Sequence, residues 1–207
     1  MEIFGIPLQA FLGQLLLGLV NGSFYAMLSL GLAVIFGLLG IVNFAHGALY
    51  MIGAYLTATL TGATGSFLLG LPLAVLVTAA LGTLLEVGVL RHLYWRDHLS
   101  QVLATFALIM IANEVTRAIW GVQSLALNVP AALSGSVEIL PGVPYPAFRL
   151  LIIGVGIGVA LALYLLVTRT RMGMLVRAGA SNREMATAMG TDIRRLFTLV
   201  FGIGAAL

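Results

Sequence analysis

The chain has 207 residues, 61% hydrophobic and only 8% charged, with a formal net charge of +3. An average soluble domain carries roughly 25% charged residues, and no soluble fold of this length has enough interior for so much apolar surface, so lipid is the expected solvent and nucleic acid is not an expected partner. Cysteine is absent and all ten basic residues are arginine, which excludes disulfides, thiol catalysis, thiolate metal sites, a Walker A lysine and a Schiff-base lysine.

In chain order, apolar stretches fall at residues 8–40, 45–62, 67–90, 99–120 and 147–168, and a sixth begins near 196 and runs to Leu207. A spanning helix needs about 20 apolar residues to cross a hydrocarbon core of ~30 Å. The expected fold class is all-α: a polytopic transmembrane helix bundle of about five spans plus a truncated sixth, with one broken helix near the N-terminal third. The stretch 8–40 reads as one long, tilted or broken span, or as two short spans turning near Asn21-Gly22. A tight hairpin in lipid leaves backbone groups unpaired, which favours the single broken span. No arginine precedes this run, so it is expected to be a permanent span and not a cleaved signal.

The arginines set the expected orientation. Arg91 and Arg96 lie in the segment 91–98, and Arg169, Arg171, Arg177, Arg183, Arg194 and Arg195 lie in 169–195. The stretch 121–146 has none. The positive-inside rule places the first two segments in the cytoplasm and the third outside. Tyr94 and Trp95 in the inner segment, and Trp120, Tyr145 and Phe148 around the outer one, suit the interface. The outer stretch, with Pro130, Pro141, Pro144 and Pro146, is expected to be extended with a short helix. Gly18 and Gly22, and Gly154 and Gly158, have the spacing that lets helices approach closely in lipid.

Polar residues are few. Asn43 and His46, between Gly40 and Gly47, interrupt two apolar runs. Broken helices at membrane depth often line transport paths. Asn43 and His46 therefore either face such a path or pin the break; a plain cytoplasmic turn is the alternative. Glu86 stands five residues before Arg91 and can snorkel or pair with it, and Glu114 and Arg117 are natural i,i+3 partners. One histidine makes no metal site, and no nucleophile pattern accompanies His46, so neither a metal nor a catalytic residue is expected. An intramembrane enzyme is accordingly a remote reading.

The segment TRTRMGMLVRAGASNREMATAMGTDIRRLF, 168–197, is the second informative stretch. Ser181 and Glu184 have the S-x-x-E spacing of a capping box. A short helix is expected over 182–189, ended by Gly190. Its Met and Ala surface suits either a groove on another protein or the anionic inner leaflet.

The run NGSFYAMLSLGLAVIFGLLGIVNFAHGALYMIGAYL, 21–56, resembles the opening of the LivH-type permease of bacterial branched-chain amino acid ABC importers, and its core Gly40-Ile41-Val42-Asn43-Phe44-Ala45-His46-Gly47 carries the likeness. The stretch RAGASNREMATAMGTDIRRL, 177–196, resembles that family's cytoplasmic coupling loop. The resemblance implies a single transmembrane permease domain over 1–207, incomplete at its C-terminus, with a cytoplasmic coupling loop at 169–195. It implies Gly40, Asn43, His46 and Gly47 at the translocation path, and Arg177, Ser181, Arg183, Glu184, Ala186 and Gly190 at the coupling helix. It further implies a multi-pass protein of the bacterial inner membrane with no cofactor of its own, ATP being bound by partner subunits. The implied partners are a second permease subunit, two ATP-binding subunits and an extracytoplasmic amino-acid-binding protein. Relatives that import urea or short amides are the alternative within the family; a partner-independent secondary transporter is the alternative outside it.

Overall fold

A computed structural model describes residues 2–3, 6–40, 43–94, 96–123, 125–127, 130, 133–140 and 143–207. Ile41, Val42, Trp95 and Pro141 lie outside the described residues. The elements are β1 (Glu2–Ile3), β2 (Ile6–Pro7), α1 (Leu8–Leu39), α2 (His46–Thr64), α3 (Phe67–Leu85), a π-helical turn (Glu86–Leu90), α4 (Arg91–Leu93) and α5 (His98–Trp120). They continue with β3 (Ser136–Leu140), β4 (Val143–Pro146), α6 (Ala147–Arg169), α7 (Arg171–Ser181), α8 (Arg183–Ala188) and α9 (Ile193–Ala206). The protein is an all-α helix bundle. Four helical segments among the described residues, Ala10–Gly37, Phe67–Leu93, His98–Trp120 and Ala147–Arg169, are long and apolar enough to cross a membrane.

The expected span at 45–62 coincides with α2, which is not among those four. Its histidine, two tyrosines and four threonines lower its hydropathy. Several of those hydroxyls are nonetheless satisfied within the helix: Thr57 donates to the Gly53 carbonyl at 2.8 Å and Thr64 to that of Leu60 at 2.7 Å. Such back-bonding suits a polar side chain with no water nearby.

The expected break inside 8–40 is absent. α1 is one 32-residue helix through Asn21 and Gly22. No proline removes an N–H there, and glycine alone does not break a helix whose backbone groups have only each other as partners. The interruption falls later, where Gly40 adopts a left-handed φ of 64° and helix resumes at His46. Within 121–146, β3 pairs antiparallel with β4, Val137 opposite Tyr145.

The chain packs as two units, Met1–Met27 with Asn128–Ala162 and Leu28–Leu127 with Leu163–Leu207. In the first, Gly156 of α6 meets α1 so closely that a Cβ there would stand 3.0 Å from the Ser23 Cβ. Gly18, Gly22, Gly154 and Gly158 would meet nothing within 4 Å. The spaced pairs singled out in the sequence are thus not the points of closest approach.

The second unit holds a core of Ile35, Leu49, Leu90, Phe197, Val200, Phe201 and Ala205, drawn from α1, α2, the π-helical turn and α9. Lipid is as apolar as these side chains, so close packing and not water exclusion holds such helices together. Glycines make that packing possible. A Cβ on Gly31 of α1 would stand 2.8 Å from both the Gly204 carbonyl oxygen of α9 and the His46 Nε2 of α2. One on Gly202 would stand 2.8 Å from the Thr83 hydroxyl of α3. At the opposite end of α2, Trp120 donates to the Thr59 hydroxyl at 2.8 Å and its ring lies 5.2 Å from that of Tyr55.

Candidate helix-break and coupling sites

Two polar places stand out in the second unit. At the interruption, Asn43 is 1% exposed and its Oδ1 accepts from the Ala45 N–H at 3.1 Å, which turns the chain into α2. His46 is 5% exposed, with Nε2 3.2 Å from the Leu28 carbonyl oxygen of α1. The side chain fits because Gly31 leaves room for the ring. Asn43 Nδ2 and His46 Nδ1 are both buried and meet no partner among the described residues. Gly40 and Gly47 are exposed. A Cβ on Gly40 would stand 3.6 Å from the Arg183 guanidinium, so this turn lies beside the start of α8.

The second place is the segment after α6. Thr170 caps α7, its hydroxyl accepting from the Gly173 N–H at 3.1 Å. Arg177 lies within α7 and donates to the Val167 carbonyl. The capping-box expectation for Ser181 is overturned, because Ser181 is the last residue of α7. Asn182 takes the cap instead: its backbone is extended (φ −152°, ψ 103°) and its side chain accepts from the Met185 N–H at 2.9 Å. Asn and Ser serve equally at this position, and α7 leaves the extended residue one place later than the pattern suggested. α8 ends at a Schellman turn, with Gly190 at φ 85° and the Thr191 N–H on the Ala186 carbonyl at 3.1 Å. Ala186 is buried, while Met185 and Met189 are 62% and 81% exposed. α7 itself, an 11-residue helix, carried no apolar run long enough to announce it.

Beside α8 a cavity of about 660 Å³ is lined by Arg183, Glu184 and Thr187 of α8, by Ile193 and Phe197 of α9, and by Tyr94 and Glu86. Glu86 is fully buried. It accepts from Arg91 Nη2 at 3.2 Å and Nε at 3.4 Å, from the Tyr94 hydroxyl at 2.7 Å and from the Thr198 hydroxyl at 2.8 Å. Burial, then the hydrogen bond to Glu86 and its charge, push the Tyr94 phenol above its ordinary range, so it stays a donor. Sequence spacing offered the Arg91 pairing, but Thr198 lies 112 residues away. Nearby, the Ser100 hydroxyl and N–H hold the exposed Asp97 carboxyl below its usual value and start α5.

Long apolar helices carrying a few buried polar positions define a multi-pass membrane protein. The family model described as "Branched-chain amino acid transport system / permease component" matches residues 14–207, and the chain belongs to that family. It is 30% identical to the high-affinity branched-chain amino acid transport system permease protein BraD of Pseudomonas aeruginosa, over 95% of this chain and 68% of BraD. It is 28% identical to the corresponding permease LivH of Escherichia coli K12 over the same shares. A shorter likeness, 48% over 68 residues, is to the permease LivM of Salmonella typhimurium, covering 32% of this chain and 16% of LivM. No solved structure matches the chain.

Proposed function

We propose that the chain is a membrane-spanning permease subunit of an ATP-driven importer of branched-chain amino acids in the bacterial inner membrane. The family match over residues 14–207 carries this reading. The chain supplies part of the translocation path and the surface that receives force. The ATP is bound elsewhere, in two partner subunits; a second permease subunit and an extracytoplasmic amino-acid receptor complete the assembly.

α8 is the docking helix, inside the cytoplasmic segment 169–195. Its exposed Met185, with the exposed Met189 that follows its last residue, offers a soft apolar surface suited to a partner's groove. The arginines around it favour the cytoplasmic side. Nucleotide binding closes the partner pair, α8 moves with it, and the spans rock about a central path. Asn43 and His46 shape that path at the break after α1, where two buried polar atoms lack protein partners among the described residues.

Ala186→Pro tests the docking role. It removes the N–H that bonds the Asn182 carbonyl at 3.0 Å and costs the short helix about 3 kcal/mol. In the assembled importer, leucine uptake should be lost while membrane insertion persists. Normal uptake and normally stimulated hydrolysis in that variant would remove α8 from the mechanism. Uptake of urea or short amides in place of leucine would move the substrate to the family alternative. Ion-driven uptake by the chain alone in liposomes would favour the partner-independent reading.

A further inference from the structure

We propose that Glu86 is a positioning residue for energy coupling: it fastens the inner end of α3 to α9, so that displacement of α8 reaches the spans. This inference rests on α8 being the docking helix. It begins from the π-helical turn Glu86–Leu90. Residues three or four apart are neighbours on an α-helix, whereas Glu86 and Arg91 are five apart. The wider i→i+5 turn brings them onto one side, and such turns concentrate at functional sites. A regular helix would place the carboxylate differently and lose the pair.

The carboxylate then gathers three elements. Arg91 and Tyr94 reach it from α4 and the residue that follows. Thr198 reaches it from α9, its hydroxyl also accepting from Arg91 Nη2 at 2.7 Å. A fully enclosed charge is weak evidence for stability, because well-packed apolar residues often do as well; fixing register between elements is its best-attested use. The register in question is that of α3 against α9.

Contacts lead from this cluster to α8. Tyr94 meets the Phe197 ring edge-on, with centroids 5.7 Å apart. The Arg183 guanidinium, on the first residue of α8, lies 5.1 Å over the other partner of that contact, Phe197. Phe197 adjoins Thr198 on α9. A shift of Arg183 therefore bears on Phe197, and through Phe197 and Tyr94 on a carboxylate tied to α3. The cavity of about 660 Å³ flanking these residues gives α8 room to move. Without the Glu86 tie, that motion would be absorbed at the inner ends of the helices.

The test uses the complete importer, purified with its ATP-binding subunits and receptor, and reads leucine imported per ATP hydrolysed at equal amounts of assembled complex. Glu86→Gln keeps the shape and loses the charge; Tyr94→Phe removes one hydrogen bond and keeps the ring contact with Phe197. The ratio should fall roughly tenfold in Glu86→Gln and about threefold in Tyr94→Phe, the range expected for residues along a coupling network. Glu86→Asp should recover part of the loss. If Glu86→Gln does not assemble, Tyr94→Phe decides. An unchanged ratio in the assembled variants, with only the yield of complex lowered, would overturn the proposal. A wild-type complex with no ATP-driven uptake would instead overturn the parent reading, and this one with it.

Discussion

Two buried polar clusters sit in the same apolar unit, and they are solved differently. At Glu86 both carboxylate oxygens are used: two arginine nitrogens, a phenol and a hydroxyl donate to one carboxylate. At Asn43 and His46 one atom of each side chain is bonded and the other, Asn43 Nδ2 or His46 Nδ1, is left without a partner among the described residues. Buried polar groups are nearly always paired, and each exception calls for an explanation. The saturated cluster reads as a fastening. Under the proposed function, the half-used one is where water or a passing solute completes the set.

The contrast can be broken by mutation. Glu86→Ala should have the larger effect on stability, because it leaves Arg91 without its carboxylate partner and Tyr94 without its acceptor. Breaking a buried pair costs about 3–5 kcal/mol, and with Arg91 one-third exposed the low end, about 3 kcal/mol, is expected. Thermal unfolding of the detergent-solubilised complex would measure it. The double change Asn43→Ala with His46→Leu should cost only about 1 kcal/mol, since two weakly used groups go and two orphaned atoms go with them. Uptake should nevertheless drop while insertion and assembly persist. Equal destabilisation by the two sets, or normal uptake by the second, would erase the distinction drawn between the clusters.

How much of this was legible in the sequence depends on the range of the interaction. The helical class and most of the long apolar helices follow from composition and length, as does the exposed Glu114–Arg117 pair at 3.3 Å. The Glu86–Arg91 pairing was readable from proximity, but the π-helical turn that permits it was not, and Thr198 required the fold. Gly31 and Gly204 carry no recognisable spacing, because each is small for the sake of a neighbour on another helix. The paired glycines, which do have the spacing, face open space. The cap of α8 falls on Asn182, one residue past the expected Ser181, because both adjacent residues are chemically able to serve. The expected break within 8–40 failed for a related reason: glycine and asparagine permit a turn but do not require one.

The absence of cysteine makes one measurement unusually clean. Met185 is 62% exposed on α8, so Met185→Cys introduces a single reactive thiol at the proposed docking surface. A membrane-impermeant maleimide should label it in inverted vesicles and not in intact spheroplasts, and the ATP-binding subunits should protect it when present. Labelling from the outer side of intact spheroplasts would contradict the assignment of α8 as the helix through which the motor acts.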